Sequence, residues 1–327
     1  GGRVVFSYAG DLFVAAIEDG SPARRLTSDR GTETSPRISP DGKTVAFLGS
    51  YEGGSEVFTI PIDGGEPTRL TYEAGGKTLI GWTPDGRSIA YGTAARNFTN
   101  RQPALYYVPA AGGPAKATVI KEIGEGSFLP DGRLLYVRQN SVNFNWRRYR
   151  GGSQGKLSIY DFRNNSYREL PAKREQNFTP IALGNDSAIF LSDRENGTLN
   201  LYRTDLKSGR AERLTNSTDV DIRTPATDGK TVVYELEGRL MLMDLATKKV
   251  RPFAPVIRSE NLAARPTFKN LAAGIEGATT NDAGTRAYVA ARGEILAVST
   301  KTGDTQNLTN SSGARDRAPL LSPDNKS

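Results

Sequence analysis

The sequence predicts an all-β fold built from one repeated four-stranded unit, and three observations support this. The first is a turn phrase, Pro-Asp-Gly or a variant of it, whose aspartates stand at 41, 85, 131, 186, 228, 282 and 324, so that neighbouring copies lie 42 to 55 residues apart. The second is the phrase Arg-Leu-Thr, which begins at Arg25, Arg69 and Arg213 and recurs as Asn-Leu-Thr at Asn307. The third is the near absence of helical periodicity outside the Ala-rich stretch 259–273. Because this repeat interval is typical of propeller blades, the sequence predicts a β-propeller of four-stranded antiparallel blades.

The turn phrase has a direct physical interpretation. In Ser39-Pro40-Asp41-Gly42 the proline presets φ, the glycine permits a positive φ, and the aspartate accepts bonds from its own turn backbone. We therefore expect each copy to close a tight hairpin. An alternative, a ring of aspartate metal ligands, is disfavoured because each carboxylate is needed by its own turn, and we expect no metal site.

Each full module continues with the same order of strands. In the second module, residues 34–38 lead into the turn, the apolar segment 44–48 follows it, 56–62 alternate apolar and polar, and 67–71 form the outermost strand. Seven strand sets are counted in this way: 3–27, 34–71, 78–119, 124–170, 178–215, 221–253 and 275–309.

Two arrangements of these seven modules stay open. The first set lacks an innermost strand, and residues 317–322 have the composition of one, so the C-terminus would close a ring of seven blades. In the other arrangement, residues 1–255 form a six-bladed core, and 256–327 comprise a linker and an additional blade that begins a second propeller. The irregular segment 256–274 interrupts the module spacing and supports the second arrangement.

Two absences restrict the chemistry of the chain. Its 327 residues include no Cys and no His. These absences exclude disulfides, thiol nucleophiles, the Ser-His-Asp triad and nearly every catalytic zinc site. We therefore expect no catalytic residue and no cofactor in this chain.

Charge and hydropathy narrow the choice of partners. The formal net charge is +7, but basic and acidic residues alternate without a long Lys/Arg tract, so we expect no nucleic-acid binding. No apolar run has the length that a transmembrane helix needs, so we expect no membrane association. The chain opens with Gly1-Gly2 and not with Met, and we expect it to be a trimmed product.

Two longer phrases are more specific than the turns. The run 2–13, Gly-Arg-Val-Val-Phe-Ser-Tyr-Ala-Gly-Asp-Leu-Phe, resembles the start of the first propeller of tricorn-type serine proteases. The run 145–152, Asn-Trp-Arg-Arg-Tyr-Arg-Gly-Gly, is similar to a phrase in a long fourth-blade loop of that propeller. The Pro-Asp-Gly turns are shared more widely, with TolB-like propellers among others. The resemblance spans essentially the whole chain.

The resemblance implies a non-catalytic role for this chain. Tricorn proteases are large serine peptidases that cut peptides released by other proteases. They carry a six-bladed propeller first, a seven-bladed one next, and the catalytic domain further along. The chain would then be a peptide-substrate gate or channel and an assembly module of a homo-oligomeric parent that needs no cofactor. Its partners would be peptides and the parent's remaining domains, in the cytoplasm or, alternatively, in the periplasm.

The candidate peptide-binding residues are basic. Arg147, Arg148 and Arg150 stand in the loop phrase beside Trp146 and Tyr149, and guanidinium groups can hold peptide carboxylates with two parallel hydrogen bonds. Alternatively, Trp146 and Tyr149 anchor a long loop whose arginines are solvated or paired.

One feature of the tricorn family is missing. Family members can carry an Arg-Arg pair, in the loop before the inner strand of the third blade, that anchors the substrate's C-terminal carboxylate. Here the corresponding loop, 71–80, is shorter, and Lys77 is the only residue that can take the place of that pair.

Two other function classes stay open. A stand-alone protein-binding propeller of the TolB-like kind would be favoured by a closed seven-bladed ring. A free-standing propeller enzyme would need a pair of buried acids in its central channel, and the absence of His disfavours it.

Overall fold

The structure, a computed structural model, describes residues 2–18, 20–97, 103–138, 150–152, 154–258, 270–311 and 313–325. The chain divides into two compact units, Gly1–Arg258 and Ser259–Ser327. Among the described residues, the elements are antiparallel β-strands and one short 3₁₀ turn, Ala272–Gly274, so the predicted all-β fold is confirmed. In that part of the chain no helix is long and apolar enough to cross a membrane.

The first unit holds six sheets whose strands follow chain order, three strands in sheet 1 and four in each of sheets 2 to 6. Sheet 1 contains β1 (Arg3–Tyr8), β2 (Asp11–Ala16) and β3 (Arg24–Arg25). Sheet 2 contains β4 (Glu33–Ile38), β5 (Thr44–Gly49), β6 (Glu56–Pro61) and β7 (Thr68–Arg69). Sheet 3 contains β8 (Lys77–Trp82), β9 (Ser88–Thr93), β10 (Ala104–Pro109) and β11 (Lys116–Ala117). Sheet 4 contains β12 (Glu125–Phe128), β13 (Leu134–Val137), β14 (Ser158–Asp161) and β15 (Ser166–Glu169). Sheet 5 contains β16 (Asn177–Leu183), β17 (Ser187–Ser192), β18 (Asn200–Asp205) and β19 (Ala211–Arg213). Sheet 6 contains β20 (Arg223–Thr227), β21 (Thr231–Leu236), β22 (Arg239–Asp244) and β23 (Val250–Phe253).

The Pro-Asp-Gly phrases form the predicted turns between the first two strands of a sheet. The Ser39 hydroxyl donates to Asp41 Oδ1 at 2.5 Å, and the same oxygen accepts the Lys43 N–H at 3.1 Å. Gly42 closes the turn with a φ of 74°, a value that L side chains adopt only with strain. The interpretation that each aspartate bonds its own turn is confirmed at Asp41 and, by the same contacts, at Asp85.

The Arg-Leu-Thr phrase ties the outermost strand to its neighbour. The Thr71 hydroxyl accepts the Val57 N–H at 2.9 Å and donates to the Glu56 carboxylate, while Arg69 Nε donates to the Thr71 carbonyl at 2.8 Å. The first of these bonds recurs at Thr27, which accepts from Leu12 at 2.8 Å, and at Thr215, which accepts from Leu201 at 2.9 Å. The repeated phrase is thus a hydrogen-bonded clamp, which explains why a polar residue recurs at a position that is buried at Thr27 and Thr71 and partly buried at Thr215.

The core of the first unit is divided among the joints between neighbouring sheets. Each of the six joints holds one apolar cluster, and the clusters are represented by the pairs Leu12–Phe47, Leu48–Leu79, Ile80–Leu134, Leu135–Phe190, Leu191–Val232 and Phe13–Leu242. The last pair joins sheet 1 to sheet 6. The six sheets therefore form a closed ring, the arrangement of a propeller.

A short backbone contact supports the joint between sheets 1 and 6. The Ala23 N–H donates to the Val256 carbonyl at 2.8 Å, and Ala23 forms a parallel bridge with Ile257. Within the described residues, sheet 1 has three strands. The two arrangements of residues 256–327, as a blade that closes the ring or as the start of a second propeller, both stay predictions.

The second unit contains one four-stranded sheet of the same kind. Its strands are β24 (Ile275–Thr280), β25 (Arg286–Ala291), β26 (Glu294–Ser299) and β27 (Thr305–Asn307). The Thr309 hydroxyl accepts the Ile295 N–H at 3.0 Å and donates to Glu294 at 2.6 Å, which repeats the clamp of the first unit. With this sheet the seven modules counted in the sequence are confirmed.

Candidate functional site: the central cavity

The inner strands of the first unit surround a cavity of about 950 Å³. Strands β4, β8, β12, β16 and β20 line it from sheets 2 to 6, and β1 lines it from sheet 1. Its wall combines hydroxyl groups, prolines and apolar side chains such as Val5, Ile17 and Val233. A cavity of this size with few charges suits an extended, mixed polar and apolar ligand.

Three of these inner strands carry the same irregularity. The bulges of β4, β16 and β20 each hold a residue with positive φ directly before a proline: Ser35-Pro36 (φ 55°), Thr179-Pro180 (φ 47°) and Thr224-Pro225 (φ 47°). Proline has no N–H, and a bulge interrupts the regular spacing of strand donors and acceptors. These inner edges are therefore poorly suited to pairing with a further strand.

The cavity contains one guanidinium that is held in place by its neighbours. The backbone carbonyl of Arg37, on β4, accepts a hydrogen bond from the indole N–H of Trp82 at 2.9 Å. The guanidinium of Arg37 donates a hydrogen bond to the Pro36 carbonyl at 3.0 Å. Arg37 is accessible from the cavity, but the surrounding walls replace much of its water. This desolvation lowers the pKa of Arg37 below its ordinary value, and the charge of Glu125 partly opposes the change.

Glu125 on β12 also lines the cavity and is bonded to sheet 5. Its Oε2 accepts the Thr179 N–H at 2.5 Å and the Thr179 hydroxyl at 3.0 Å. These bonds satisfy the backbone N–H at the β16 bulge. Glu125 therefore has a structural reason to stand in the cavity, whereas no carboxylate of the described residues forms an ion pair with Arg37.

Lys77 does not present its ammonium group to the cavity. Its side chain is fully buried, and Nζ lies 2.9 Å from Glu56 Oε2. Nζ also donates to the Glu73 carbonyl at 2.6 Å and to the Gly75 carbonyl at 3.4 Å. All three donors of the ammonium group are thus used within the fold. The geometry gives Lys77 a structural role at the joint of sheets 2 and 3, and its role as a carboxylate anchor stays a prediction.

Arg150 is the one member of the candidate basic loop that the structure describes. It donates to Asp193 Oδ2 at 2.7 Å, and the Asp193 side chain is almost completely buried. Asp193 Oδ1 accepts the Gln176 N–H at 2.7 Å, so the pair fixes the end of the loop to sheet 5. Arg150 is therefore paired. The other predicted members, Trp146, Arg147, Arg148 and Tyr149, lie outside the described residues.

The family model described as the tricorn protease N-terminal beta propeller domain matches residues 1–249. The chain belongs to this family. The recognition made from the opening run and the loop phrase is thereby confirmed.

Curated relatives support the assignment to the tricorn family. The chain is 31% identical over 98% of its length to "Tricorn protease homolog 1" of Streptomyces coelicolor, and 25% identical over 99% of its length to "Tricorn protease homolog" of Saccharolobus solfataricus. It spans about a third of these relatives, 30% of each.

Solved structures show the tricorn-type fold as well. The crystal structure of the tricorn protease matches 99% of this chain with a TM-score of 0.72 at 19% identity, over 40% of that structure's chain. A putative TolB from Agrobacterium tumefaciens matches 76% of this chain and 87% of its own with a TM-score of 0.58 at 19% identity. At these identities the similarity shows the fold alone.

Sequence reasoning did not single out Arg37 in this tricorn-family chain. A signal was present, because Ser35-Pro36 interrupts a segment that otherwise has the composition of a strand, and proline within a sheet is confined to edges and bulges. That signal marks β4 as an edge strand. It does not reveal that the edge faces a cavity, which depends on how six sheets meet.

Proposed function

We propose that this chain is a non-catalytic β-propeller of a tricorn-like serine protease, which gates peptide substrates and helps to assemble the protease. The observation that carries the proposal is the cavity of about 950 Å³ enclosed by the inner strands of a tricorn-family propeller. The chain has no His and no Cys, so the peptidase chemistry would reside elsewhere in the parent protein. The peptides and the parent's remaining domains are the partners in this proposal, and the cytoplasm is the compartment.

The proposed domain organisation is a six-bladed core, 1–255, followed by a linker and the start of a second propeller within 256–327. Support comes from the conformation of residues 314–325, which resembles an inner strand and its turn. Ala318 has a φ of 53° directly before Pro319, as Ser35 has before Pro36. The Ser322 hydroxyl donates to Asp324 Oδ1 at 2.5 Å, as Ser39 donates to Asp41.

A backbone contact strengthens this comparison. The Asp316 N–H donates to the Gly293 carbonyl at 2.8 Å, just as the Glu33 N–H donates to the Gly10 carbonyl at 2.7 Å where sheet 2 follows sheet 1. Residues 314–325 thus carry the backbone conformation that begins a blade, which is why we place the start of a further blade here.

Site-directed labelling tests the gate. The chain has no Cys, so Thr34→Cys introduces a unique thiol on β4 at the cavity wall, and Lys207→Cys introduces one on the exposed outer surface as a matched control. Each full-length variant, with any other cysteines replaced, is labelled with a polyethylene glycol maleimide and assayed on oligopeptides. We expect labelling at position 34 to remove most of the peptidase activity and labelling at 207 to leave it unchanged. Equal activity of the two labelled proteins would contradict a role of the cavity in substrate passage.

A further inference from the structure

The joint between sheets 1 and 2 and the joint between sheets 2 and 3 carry opposite charges at equivalent positions. Glu33 begins β4 and Lys77 begins β8, and each stands six residues after the threonine of its clamp, Thr27 or Thr71. Each also pairs with the last residue of the next strand in its sheet, which is Gly49 in the case of Glu33. Glu33 therefore occupies the position at the first joint that Lys77 occupies at the second.

The acidic residue of the clamp differs between the two joints as well. Asp11 is equivalent to Glu56, because each directly precedes the N–H donor of its clamp. Glu56 accepts the clamp hydroxyl and lies 2.9 Å from Lys77 Nζ. Asp11 is one methylene shorter, and the hydroxyl of Thr27 donates instead to Glu33 Oε2 at 2.9 Å. The first joint thus holds two carboxylates where the second holds a carboxylate and an ammonium group.

The backbone holds Asp11 and Glu33 close together. The Glu33 N–H donates to the carbonyl of Gly10, the residue before Asp11, at 2.7 Å. Arg25 Nη2 donates to Asp11 Oδ2 at 2.6 Å, and Arg25 Nε donates to the Thr27 carbonyl at 2.8 Å. One oxygen of each carboxylate is therefore in use, Oδ2 of Asp11 by Arg25 and Oε2 of Glu33 by Thr27.

The second oxygen of each carboxylate is buried without a partner. Glu33 is 0% exposed and Asp11 is 8% exposed, and among the described residues Glu33 Oε1 and Asp11 Oδ1 have no hydrogen-bond partner. Buried polar atoms in folded proteins are almost always bonded, and a buried charge needs a counter-charge. These two oxygens therefore indicate a positively charged ligand between sheets 1 and 2.

The hydroxyl group of Tyr51 adds a third oxygen. It is buried and likewise has no hydrogen-bond partner among the described residues. A side chain at Gly49 would place its Cβ 3.0 Å from Tyr51 Cζ, and Gly49 lies opposite Glu33. Residues opposite each other in antiparallel strands share a face, so the hydroxyl end of the ring stands beside Glu33. Burial raises the pKa of Glu33, and this hydroxyl lies close enough to oppose the rise.

The charges around these oxygens leave a deficit of positive charge. Asp29 supplies a third carboxylate nearby, since its Oδ1 accepts the N–H of Gly31 at 3.3 Å and Gly31 packs against the ring of Tyr51. In the described part of the chain, Arg25 is the cation that pairs with this group of carboxylates. Three carboxylates and one guanidinium leave two negative charges uncompensated, which matches the charge of a divalent cation.

We propose that Asp11 Oδ1, Glu33 Oε1 and the Tyr51 hydroxyl bind a divalent metal cation of the Ca²⁺ type, in the place that the Lys77 ammonium group takes at the next joint. All three ligands are oxygens, which is the donor set that hard cations prefer. Water completes the about six to eight oxygens that Ca²⁺ binds. The ion joins the start of β2 to the start of β4 and so stabilises the contact between sheets 1 and 2. This inference does not depend on the proposed passage of peptides.

Calcium binding is measured by isothermal titration calorimetry on the protein after metal ions have been removed with EDTA. We expect a single Ca²⁺ to bind and, at saturation, to raise the midpoint temperature of unfolding by at least about 4 °C. Glu33→Gln should weaken binding at least tenfold. Glu66→Gln, which removes an equal charge from an exposed position, is the matched control and should leave binding unchanged. Absence of Ca²⁺ binding, or equal binding by the wild type and Glu33→Gln, would overturn the inference.

The comparison of the two joints supplies a second test. The double variant Asp11→Glu, Glu33→Lys recreates the carboxylate and ammonium group of Glu56 and Lys77. We expect it to bind no Ca²⁺ at this joint and to unfold, in EDTA, at a higher temperature than the wild type in EDTA. Unchanged Ca²⁺ affinity in this variant would contradict the site.

Tyr51→Phe keeps the ring and removes only the hydroxyl ligand, so it tests the site even where the double variant fails to fold. We expect this variant to bind Ca²⁺ at least threefold more weakly than the wild type, while its midpoint temperature in EDTA is not lowered. Wild-type affinity in Tyr51→Phe would remove the hydroxyl from the ligand set. Stabilisation of the wild type by Na⁺ at the same ionic strength, equal to that by Ca²⁺, would overturn the assignment of a divalent cation.

Discussion

Replacing Lys77 by Met removes the cation from a buried ion pair and leaves its partner uncompensated. The Lys77 side chain is 0% exposed and that of Glu56 is 7% exposed, with Nζ and Oε2 2.9 Å apart. Loss of one partner of such a pair costs about 3–5 kcal/mol. Glu56 keeps the Thr71 hydroxyl and a longer contact with Arg69 at 3.4 Å, so we expect a destabilisation near the lower limit, about 3 kcal/mol.

Urea unfolding monitored by circular dichroism measures this loss. The control is Lys116→Met on the exposed strand β11, which should change the free energy of unfolding by no more than about 0.5 kcal/mol. Adding Glu56→Gln to Lys77→Met removes the orphaned charge but keeps an acceptor for Thr71, and should restore about 1 kcal/mol or more. A loss below about 1 kcal/mol for Lys77→Met would refute the buried pair. Weakened peptide binding without loss of stability would instead support the carboxylate anchor expected from the sequence.

Two further expectations concern the clamp residues. Thr71→Val deletes the hydroxyl that accepts the Val57 N–H and donates to Glu56, and should cost about 1–3 kcal/mol in urea unfolding, whereas Thr71→Ser should retain most of the stability. Burial raises the pKa of Glu33 above 4.5, with the Thr27 hydroxyl opposing, so the folded state holds this proton more tightly than the unfolded state. The free energy of unfolding is measured for the wild type and for Glu33→Gln as the pH rises from 4.5 through the raised pKa. We expect the wild type to lose stability relative to the variant over this range. A difference that does not change with pH would contradict this expectation.

The repeated modules were predictable because their determinants are local. A turn such as Ser39-Pro40-Asp41-Gly42 encodes its own geometry within four residues, and the apolar residues within 56–62 mark a strand. The packing of sheet 2 between its two neighbours buries both faces of that strand, β6, whereas the alternation predicts burial of one face. The role of Lys77 was not predictable in this way. It depends on Glu56, which belongs to the neighbouring sheet, and no local pattern shows that β6 and β8 bring these two charges together.

The same limit applies to the candidate site. The module count does not show that the inner strands of six sheets surround a cavity. The position of Arg37 likewise depends on the Trp82 contact from sheet 3. Both features arise from packing between sheets, which follows from the closure of the ring and not from any single module.

The joint between sheets 1 and 6 has a consequence for access to the cavity. At the other five joints the polypeptide itself runs from one sheet to the next, whereas sheets 1 and 6 are held by Phe13, Leu242 and their neighbours and by the contact of Ala23 with Val256. A closed loop of covalent bonds would admit a chain only by threading an end through it. In this ring no backbone connection runs directly between sheets 1 and 6. Separation of these two sheets would therefore open a lateral entrance to the cavity beside β1 without breaking the backbone.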